Sequence, residues 1–406
     1  MQNHLKVLIV DDDQNILDGL RRTLHHLRPQ WDTEYALGGK AALQLLQSGK
    51  YDVIVSDLRM PEMSGDELLE IVRRRYPEVI RIILSGYSQK ESIYRLVGVA
   101  HQCLAKPCSV KAIVQAIEQT SKIRELLSDR KLKYIISQLK SLPSIPSVYH
   151  ELVAELRSPN VSMKQVGKII VKDVGMTSKI LQLVNSAFFG MPKHVSDPTL
   201  AVNLLGINTI ISLVLTVNIF SQFKNPDIPK YSLARLMEHS LKTAVYAKTI
   251  AELENATPLE VDISYTAGLL HDAGMYILID NLYEEYAKIY LSTQRENLSI
   301  VETERNALGT THAELGAYLL GIWGLPDSIV GAVAYHHEPG KSLDDQFTSL
   351  TAVYAASLIE ECLHQGKIKQ ASDFLNTDYL DKLRLLDHIP SWIESCQAVQ
   401  VLEING

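Results

Sequence analysis

Short apolar runs alternate with amphipathic segments over roughly the first 125 residues. The segments at 15–27, 40–47 and 65–75 carry apolar residues at helical spacing. The runs between them are short and rich in β-branched residues, as expected for strands covered on both faces. They predict five strands, near Lys6–Val10, Thr33–Ala36, Val53–Val55, Val79–Leu84 and Ala100–Leu104. Because strands and helices alternate, the pattern predicts a doubly wound, parallel, five-stranded α/β domain over residues 1–125.

Beyond about residue 139 the hydrophobic pattern is helical throughout, and proline and glycine mark the breaks. This predicts a multidomain chain with one large all-α domain over residues 139–406. The intervening run, 110–140, has apolar residues at helical spacing, including Ile113, Ile117 and Ile135, and predicts a linker helix. One continuous helix fits this run, and so does a last helix of the first domain followed by a separate first helix of the second. Pro143 and Pro146 end the run, because a proline disfavours helical conformation in the residue before it.

Composition narrows the class of protein. The 406-residue chain has a net charge of −7 and no long basic block, so nothing supports a nucleic-acid-binding surface. Its four cysteines lack CxxC spacing and no apolar signal segment begins the chain, which predicts reduced thiols in a cytoplasmic protein. The uncharged stretch Pro198–Phe223 is long enough to cross a bilayer. Its asparagine, serine and threonine residues favour a buried helix pair in a large helical core instead, with no membrane association.

Acidic, hydroxyl and basic side chains lie at or just past the ends of the predicted strands: Asp11, Asp12, Asp57, Ser85 and Lys106. Because the carboxyl ends of parallel strands share one edge of the sheet, we expect these side chains to cluster there. Three carboxylates repel one another unless a cation lies among them, and oxygen ligands with room for water suit Mg²⁺. A lysine and a hydroxyl can then orient a phosphoryl group. Taken singly, each residue is also explained as a helix cap or a salt-bridge member.

The first 120 or so residues resemble the receiver domain of two-component response regulators. The resemblance is carried by Asp11-Asp12, by Asp57 within SDLRMPEMSGDELL, by Ser85 in ILSGY and by Lys106-Pro107. It implies that Asp57 accepts a phosphoryl group from a histidine kinase or a phosphotransfer protein. It also implies that Asp12, Asp57 and the backbone carbonyl of Arg59 hold Mg²⁺, with Asp11 acting through bound water.

The same resemblance assigns roles to the residues facing the phosphoryl group. Ser85 would bond a phosphoryl oxygen, Lys106 would pair with it, and Pro107 would follow a cis peptide bond. The chain departs from the family at Cys103, which stands where the family has its switch aromatic. This departure bears on the usual movement of the aromatic ring, and not on phosphorylation itself.

Histidine placement is the informative feature of the helical domain. His239, His271-Asp272, His312 and His336-His337 all lie in or beside predicted helices. Imidazoles and a carboxylate that project from facing helices can bind a metal ion in the core of a bundle. Each histidine alone is also explained as a packing or surface residue with a local partner. Together they predict a site.

Residues 139–340 or so resemble the HDOD family, an HD-related output domain often attached to receivers. The family pattern is visible as LPSIP, LVNSAFFG, LLGINTI, HSLKTAVYAKTIA, AGLLHDAG, THAELGAYLLGIWGLP and AVAYHHEP. The parent HD superfamily contains metal-dependent phosphohydrolases, in which histidines and aspartates hold metals that activate water. The resemblance makes His239, His271, Asp272, His312, His336 and His337 candidate ligands of one transition metal, Fe, Mn, Ni or Zn.

Other positions depart from the catalytic members of that superfamily. Met275 replaces the lysine of the phosphodiesterases, and no GYP loop follows His337. The last aspartate ligand would fall near Ala355, and Asp344 or Asp345 could substitute only by a different backbone path. HDOD domains are generally regarded as non-catalytic signalling modules, so we do not expect an enzyme.

Two hypotheses follow from these features. The favoured one is a bacterial phosphorelay response regulator, in which phosphorylation of Asp57 controls how the helical domain meets a downstream protein. The alternative is a receiver-gated metal-dependent phosphohydrolase acting on a nucleotide or cyclic dinucleotide. A transcription factor is disfavoured, because no helix-turn-helix or basic reading helix is visible. Homodimerisation through the linker stays open.

Overall fold

The computed structural model describes residues 5–76, 79–86, 99–127, 129–139, 143, 145–156, 158, 161–186, 189, 191, 194–221, 233–296 and 298–405. The chain forms two compact units. The first is Met1–Glu125 with Gly324–Ser328, and the second is Leu126–Trp323 with Ile329–Gly406.

The first unit is built on a parallel sheet of five strands in the order β2-β1-β3-β4-β5. The five-stranded parallel α/β prediction is therefore confirmed. The strands are β1 (Lys6–Asp11), β2 (Asp32–Leu37), β3 (Val53–Asp57), β4 (Ile80–Gly86) and β5 (Gln102–Lys106). The helices described in this unit are α1 (Gln14–Leu27), α2 (Gly39–Ser48), α3 (Gly65–Arg75) and α4 (Val110–Leu127).

The core of the first unit explains why these segments form these elements. The apolar residues of β1 and β3, such as Val7, Ile9 and Val55, are completely buried, as expected of central parallel strands. Leu17 and Ile117 bring α1 and α4 onto the same core. The strands β1 and β3 end at Asp11 and Asp57, which places these acidic residues at the carboxyl edge of the sheet.

The predicted linker helix over 110–140 is two helices, α4 and α5 (Arg130–Gln138). The break has a local cause. The Asp129 side chain accepts hydrogen bonds from the backbone N–H groups of Lys131 and Leu132, at 2.8 and 3.1 Å. An aspartate that caps these free N–H groups favours the start of a new helix. Of the two arrangements that the apolar pattern allowed, the structure has the one with separate helices.

The second unit is all-helical over its described residues, as predicted. Its further helices are α6 (Ser147–Leu156), α7 (Met163–Val171), α8 (Val174–Val184), α9 (Pro198–Leu205), α10 (Ile207–Ser221), α11 (Leu233–Leu253), α12 (Pro258–Leu270), α13 (Ala273–Asn281), α14 (Tyr283–Glu296), α15 (Ile300–Leu308), α16 (His312–Ile322), α17 (Asp327–Tyr335), α18 (Ser349–His364), α19 (Ala371–Phe374), α20 (Thr377–Lys382) and α21 (Ile389–Asn405). The long helix α11 packs against both α12 and α18, and α13 packs against α16. These pairs bring together the histidine-bearing segments.

The uncharged stretch from residue 198 onward forms the helix pair α9 and α10. Several polar side chains of α10 form hydrogen bonds, either within the helix or to a neighbouring helix. Ser212 donates to the carbonyl of Asn208 at 2.9 Å, and the Asn208 amide donates to Asp262 at 2.6 Å. In the part of the chain that the structure describes, no single helix is long and apolar enough to span a membrane, and α9 and α10 reach that length only as a pair bent by 118°.

Candidate functional site

The acidic residues of the first unit converge on the carboxyl edge of its sheet. Val10 on β1 is in register with Ser56 on β3, so Asp11 and Asp57 end neighbouring strands. Both are buried, whereas Asp12 in the following turn is exposed. Arg59 lies in the loop after β3. Ser85 is the penultimate residue of β4 and is buried.

Lys106, the last residue of β5, joins the two buried carboxylates. Its Nζ lies 2.6 Å from Asp57 Oδ1 and 3.2 Å from Asp11 Oδ2. Burial lowers the pKa of the ammonium group, but the hydrogen bonds and charges of Asp57 and Asp11 outweigh burial and raise it. The Lys106–Pro107 peptide bond is cis, as predicted. The side chain of Cys103, the predicted departure, lies outside the described part of the chain.

This edge therefore combines clustered carboxylate oxygens with one fixed cation. Oxygen donors of this kind are the ligands that Mg²⁺ prefers. The lysine also offers a positive charge beside the Asp57 carboxylate, where a transferred phosphoryl group carries negative charge. The residues present therefore fit both a divalent cation and a phosphoryl acceptor.

The second candidate site lies in the helical unit, where close helix packing gathers the histidines. His239 is on α11, His271 and Asp272 join α12 to α13, His312 begins α16, and His336-His337 follow α17. The contact between α13 and α16 depends on a missing side chain. A Cβ on Gly274 would lie 1.9 Å from the carbonyl oxygen of His312 and 2.6 Å from the Gly316 nitrogen. Glycine at 274 thus lets Asp272 approach His312.

Two pairs of imidazoles face each other around Asp272. The Nε2 atoms of His239 and His271 are 3.1 Å apart, and those of His312 and His337 are also 3.1 Å apart. Asp272 Oδ1 lies 3.4 Å from His312 Nε2 and 3.7 Å from His336 Nε2, and Oδ2 lies 3.3 Å from His271 Nε2. The structure thus brings together all six residues predicted for this site.

The opposite ring nitrogens fix the tautomers. His271 Nδ1 donates to the carbonyl of Gly268 at 2.7 Å, and His336 Nδ1 donates to the carbonyl of Val333 at 2.8 Å. A carbonyl can only accept, so Nδ1 carries the proton in these two residues. When these two rings are neutral, their Nε2 atoms therefore present lone pairs to the cluster. An outward hydrogen bond of this type orients an imidazole for binding a metal ion.

Buried carboxylates hold the Nδ1 atoms of the other two buried histidines. Glu304 lies 2.8 Å from His312 Nδ1, and it also accepts from the His312 backbone N–H and the Tyr286 hydroxyl, at 3.0 and 2.6 Å. Glu360 on α18 contacts His239 Nδ1. Sequence reasoning missed both glutamates. The spacing of His312 after Glu304 was the one visible signal, and nothing in the sequence pairs residue 360 with residue 239.

The chemistry of these groups fits a metal ion. Lone pairs that face one another repel unless a proton or a metal ion lies between them, and His336 Nε2 is buried with no hydrogen-bond partner among the described residues. Burial lowers the pKa of His312, yet Glu304 and Asp272 raise it to about 10, so the His312 ring is protonated at neutral pH. Burial raises the pKa of Asp272, but the charge and hydrogen bond of a protonated His271 and the hydrogen bond from His312 lower it well below its usual value. The cluster attracts cations.

Neither Ala355, where the last aspartate ligand was expected, nor Asp344 supplies a ligand to the cluster. Ala355 is completely buried in α18, and the residue of that helix nearest the inner face of His239 is Ser357, whose Oγ lies 3.4 Å from His239 Nε2. Asp344 is bonded to the hydroxyls of Ser342 and Thr348, at 2.8 and 3.2 Å, and is in none of the candidate ligand groups of the described residues. Position 357, two residues beyond the one predicted, faces the cluster because of the way α18 is rotated about its axis.

A cavity of about 910 Å³ opens onto the cluster. Asp272, His239, His336 and His337 line one part of its wall. Basic, aromatic and apolar side chains line the rest, among them Arg235, Lys367, Tyr290, Tyr354, Met275 and Phe374. A small molecule in this cavity could therefore reach the candidate metal ligands.

Comparison with known families assigns both units. Residues 7–118 match the response regulator receiver domain, and residues 142–339 match the HDOD domain. An uncharacterized protein of Treponema pallidum is 26% identical over 261 residues, which are 64% of this chain and 48% of that protein. The hydrogenase transcriptional regulatory protein HoxA of Cupriavidus necator is 35% identical over 129 residues, 30% of this chain and 25% of that protein. The chain thus spans half or less of the length of these relatives.

Solved structures support the helical fold. An HDOD domain protein from Geobacter sulfurreducens is 24% identical, with a TM-score of 0.51 over 69% of this chain and 99% of its own. A structure described as a putative phosphohydrolase from Shewanella amazonensis is 19% identical, with a TM-score of 0.51 over 68% of this chain and 97% of its own. At these identities the likeness concerns the fold alone.

Proposed function

Since the chain joins a receiver domain, residues 7–118, to an HDOD domain, residues 142–339, we propose that it is a phosphorelay response regulator. In this proposal a histidine kinase or phosphotransfer protein phosphorylates Asp57, and the helical domain, taken as residues 139–406, carries the output to a downstream protein. The observation that carries the proposal is the pairing of Lys106 with both Asp57 and Asp11 at the sheet edge.

The edge supplies what phosphoryl transfer to a carboxylate needs. Asp57 is the nucleophile, and Asp11, Asp12 and the carbonyl of Arg59 would complete the Mg²⁺ site, whose ion would neutralise phosphoryl oxygens. Lys106, held 2.6 Å from Asp57, supplies a fixed positive charge, and Ser85 would donate its hydroxyl. A phosphoryl group adds about −1.5 to −2 charge and three acceptor oxygens. It would redistribute these contacts and shift the conformational equilibrium of the receiver.

Radiolabelled acetyl phosphate tests the acceptor. We expect the full chain to incorporate label in Mg²⁺ and the Asp57→Asn variant to incorporate none. Asp18→Asn is the matched control, because Asp18 is a partly exposed aspartate of α1. Full labelling of Asp57→Asn would refute the assignment.

The HDOD domain, we further propose, holds one transition metal, Fe, Mn, Ni or Zn, in the histidine cluster. The supporting observation is the convergence of the Nε2 atoms of His271, His312 and His336 on Asp272. When bound, the ion would supply Lewis acidity and positive charge. The protein's own part is to orient His271 and His336 through backbone carbonyls, and His239 and His312 through buried carboxylates.

Metal analysis after loading and desalting tests this site. We expect close to one metal per chain, and a loss of metal in His312→Ala. His364→Ala is the control, because His364 lines the same cavity but is in none of the candidate ligand groups among the described residues. Less than about a tenth of an equivalent in the unaltered chain would reduce these histidines to packing residues.

A second candidate function is a metal-dependent phosphohydrolase acting on a nucleotide or cyclic dinucleotide. The observation in its favour is the cavity of about 910 Å³ beside the cluster, with Arg235 and Lys367 on its wall. Met275 lies on the same wall, where a lysine would stabilise negative charge in catalysis, and it weighs against turnover. Hydrolysis of cyclic-di-GMP or nucleoside phosphates that disappears in Asp272→Ala would establish this function in place of the non-catalytic one.

A further inference from the structure

Among the described residues, two overlapping ligand sets of the histidine cluster share Asp272, and a third group joins His239 to Glu360 and Glu361. The four-residue set is Asp272, His312, His336 and His337, and the three-residue set is His239, His271 and Asp272. Within each set the ligand atoms lie within 4.8 Å of one another. The four-residue set has one donor for every position of a tetrahedral ion, as closed zinc sites do. The three-residue set has one donor fewer than a tetrahedral ion requires.

The neighbour of the three-residue set is a neutral hydroxyl. Ser357 Oγ lies 3.4 Å from His239 Nε2, on the side of the ring that faces His271. A serine hydroxyl is uncharged at neutral pH and binds divalent cations weakly by comparison with a carboxylate. Within the three-residue set, the charge of Asp272 is therefore the only anionic charge, and the four-residue set uses it as well.

Glu360 follows Ser357 by three residues on α18 but does not supply the missing charge. Its two carboxylate oxygens accept hydrogen bonds from Arg235 NH1 and NH2, at 2.9 and 2.8 Å. It also contacts His239 at Nδ1, the ring nitrogen that points away from the cluster. The charge of this carboxylate is therefore offset by the Arg235 guanidinium, which it binds through both oxygens.

We propose that Ser357 restricts the centre to a single metal ion, which the four-residue set binds. A second ion at the three-residue set would have two imidazoles, one oxygen of the Asp272 carboxylate and a neutral hydroxyl. It would also lie close to the ion in the first set, and the two divalent cations would share the single negative charge of Asp272. This inference rests on the metal site proposed above and adds the residue that sets its stoichiometry.

The proposal predicts that one substitution changes the metal count. Ser357 lines the cavity and is half-buried, so the position has room for a slightly larger side chain. Ser357→Asp would place a carboxylate beside His239 Nε2 and give the three-residue set both its fourth ligand and its anion. Ser357→Asn has the same size without the charge and is the matched control.

The experiment measures metal per full-length chain by mass spectrometry after loading with Mn²⁺ and desalting. We expect one equivalent in the unaltered protein, two in Ser357→Asp and one in Ser357→Asn. Electron paramagnetic resonance gives an independent readout, because two Mn²⁺ ions sharing Asp272 would show spin coupling that one ion cannot show.

The possible failures are distinguishable. No metal in the unaltered chain would refute the metal site itself. Two equivalents in the unaltered chain, or one equivalent in folded Ser357→Asp, would refute the role of Ser357. If circular dichroism shows that Ser357→Asp is unfolded, Ser357→Cys replaces it, because a thiolate of nearly the same shape is a strong ligand. With Zn²⁺ we then expect two equivalents, and a single equivalent would overturn the proposal.

Discussion

Replacement of Gly274 by alanine tests how the cluster is assembled. The new Cβ would lie 1.9 Å from the carbonyl oxygen of His312 and 2.6 Å from the nitrogen of Gly316. Both atoms belong to the backbone of α16 and cannot rotate away. To lie even 3.0 Å from the carbonyl oxygen, the Cβ must move away from it by about 1.1 Å. The two helices would have to separate, and His312 would move away from Asp272.

The size of the effect follows from two opposing contributions. Overpacking against rigid backbone costs up to about 3 kcal/mol. Alanine in place of glycine in a helix recovers about 1 kcal/mol. The net loss in the free energy of unfolding is then at most about 2 kcal/mol, or at most about 4–8 °C in melting temperature for a domain of a few hundred residues. Metal binding should suffer more, because ligand distances tolerate only about 0.2 Å.

Thermal melts and metal content, measured side by side, check this prediction. Gly175→Ala is the matched control, because Gly175 also lies in a helix of the same unit and its Cβ would meet only Asp173 Oδ1, at 3.5 Å. We expect this control to melt at or slightly above the temperature of the unaltered protein and to retain its metal. If Gly274→Ala melts and binds metal like Gly175→Ala, the close helix contact does not form the cluster.

Three further predictions concern charge. Lys106→Met leaves the buried carboxylates of Asp11 and Asp57 without their cation, so it should lower the melting temperature of the receiver in EDTA. Added Mg²⁺ should recover part of this loss, and an equal loss in both buffers would contradict a site shared by the lysine and the metal ion. Glu304→Gln removes the carboxylate that holds His312 Nδ1 and should weaken metal affinity by about 10- to 100-fold. Tyr286→Phe removes a different hydrogen bond to Glu304 and should leave the affinity unchanged, and titration calorimetry measures both. Because the pKa of His312 is raised to about 10, metal must displace its proton at pH 7. Metal affinity should therefore rise by about tenfold per pH unit. Calorimetry in buffers of different ionisation enthalpy should detect about one proton released per metal ion bound, and the absence of proton release would contradict a protonated His312.

The receiver edge was predictable from the sequence because its chemistry is local to strand ends. A run such as Val53–Val55 reveals a buried strand, and the polar residue after it falls at the edge by the geometry of parallel sheets. Lys106 follows the weakest predicted strand, yet it reaches Asp57 because β5 has the same direction as its neighbours. At this edge, the short apolar runs and the geometry of a parallel sheet predict the same residues.

The helical site was predictable only in its inner part. Histidines are rare enough to stand out, so His271 and His312 attracted attention without any knowledge of packing. Glu360 did not, because a glutamate on a helix usually lies on a solvated face, and only the packing of α18 on α11 buries this one. Ser357 was missed for a related reason. Which residue of α18 faces the cluster depends on the rotation of that helix, and a sequence pattern fixes such a rotation only approximately.

The exposure of His337 distinguishes it from Asp272, His312 and His336, which are buried. A ligand at the mouth of a cavity can swing into solvent by rotation of its own side chain, on a timescale far shorter than unfolding. In the proposed centre, this exposed imidazole would act as the point of entry and exit. A chelator would then strip the ion from the native fold, and the vacated protein could be reloaded without denaturation. The holding time of the ion would be governed by ligand exchange at one rim residue and not by the lifetime of the folded state.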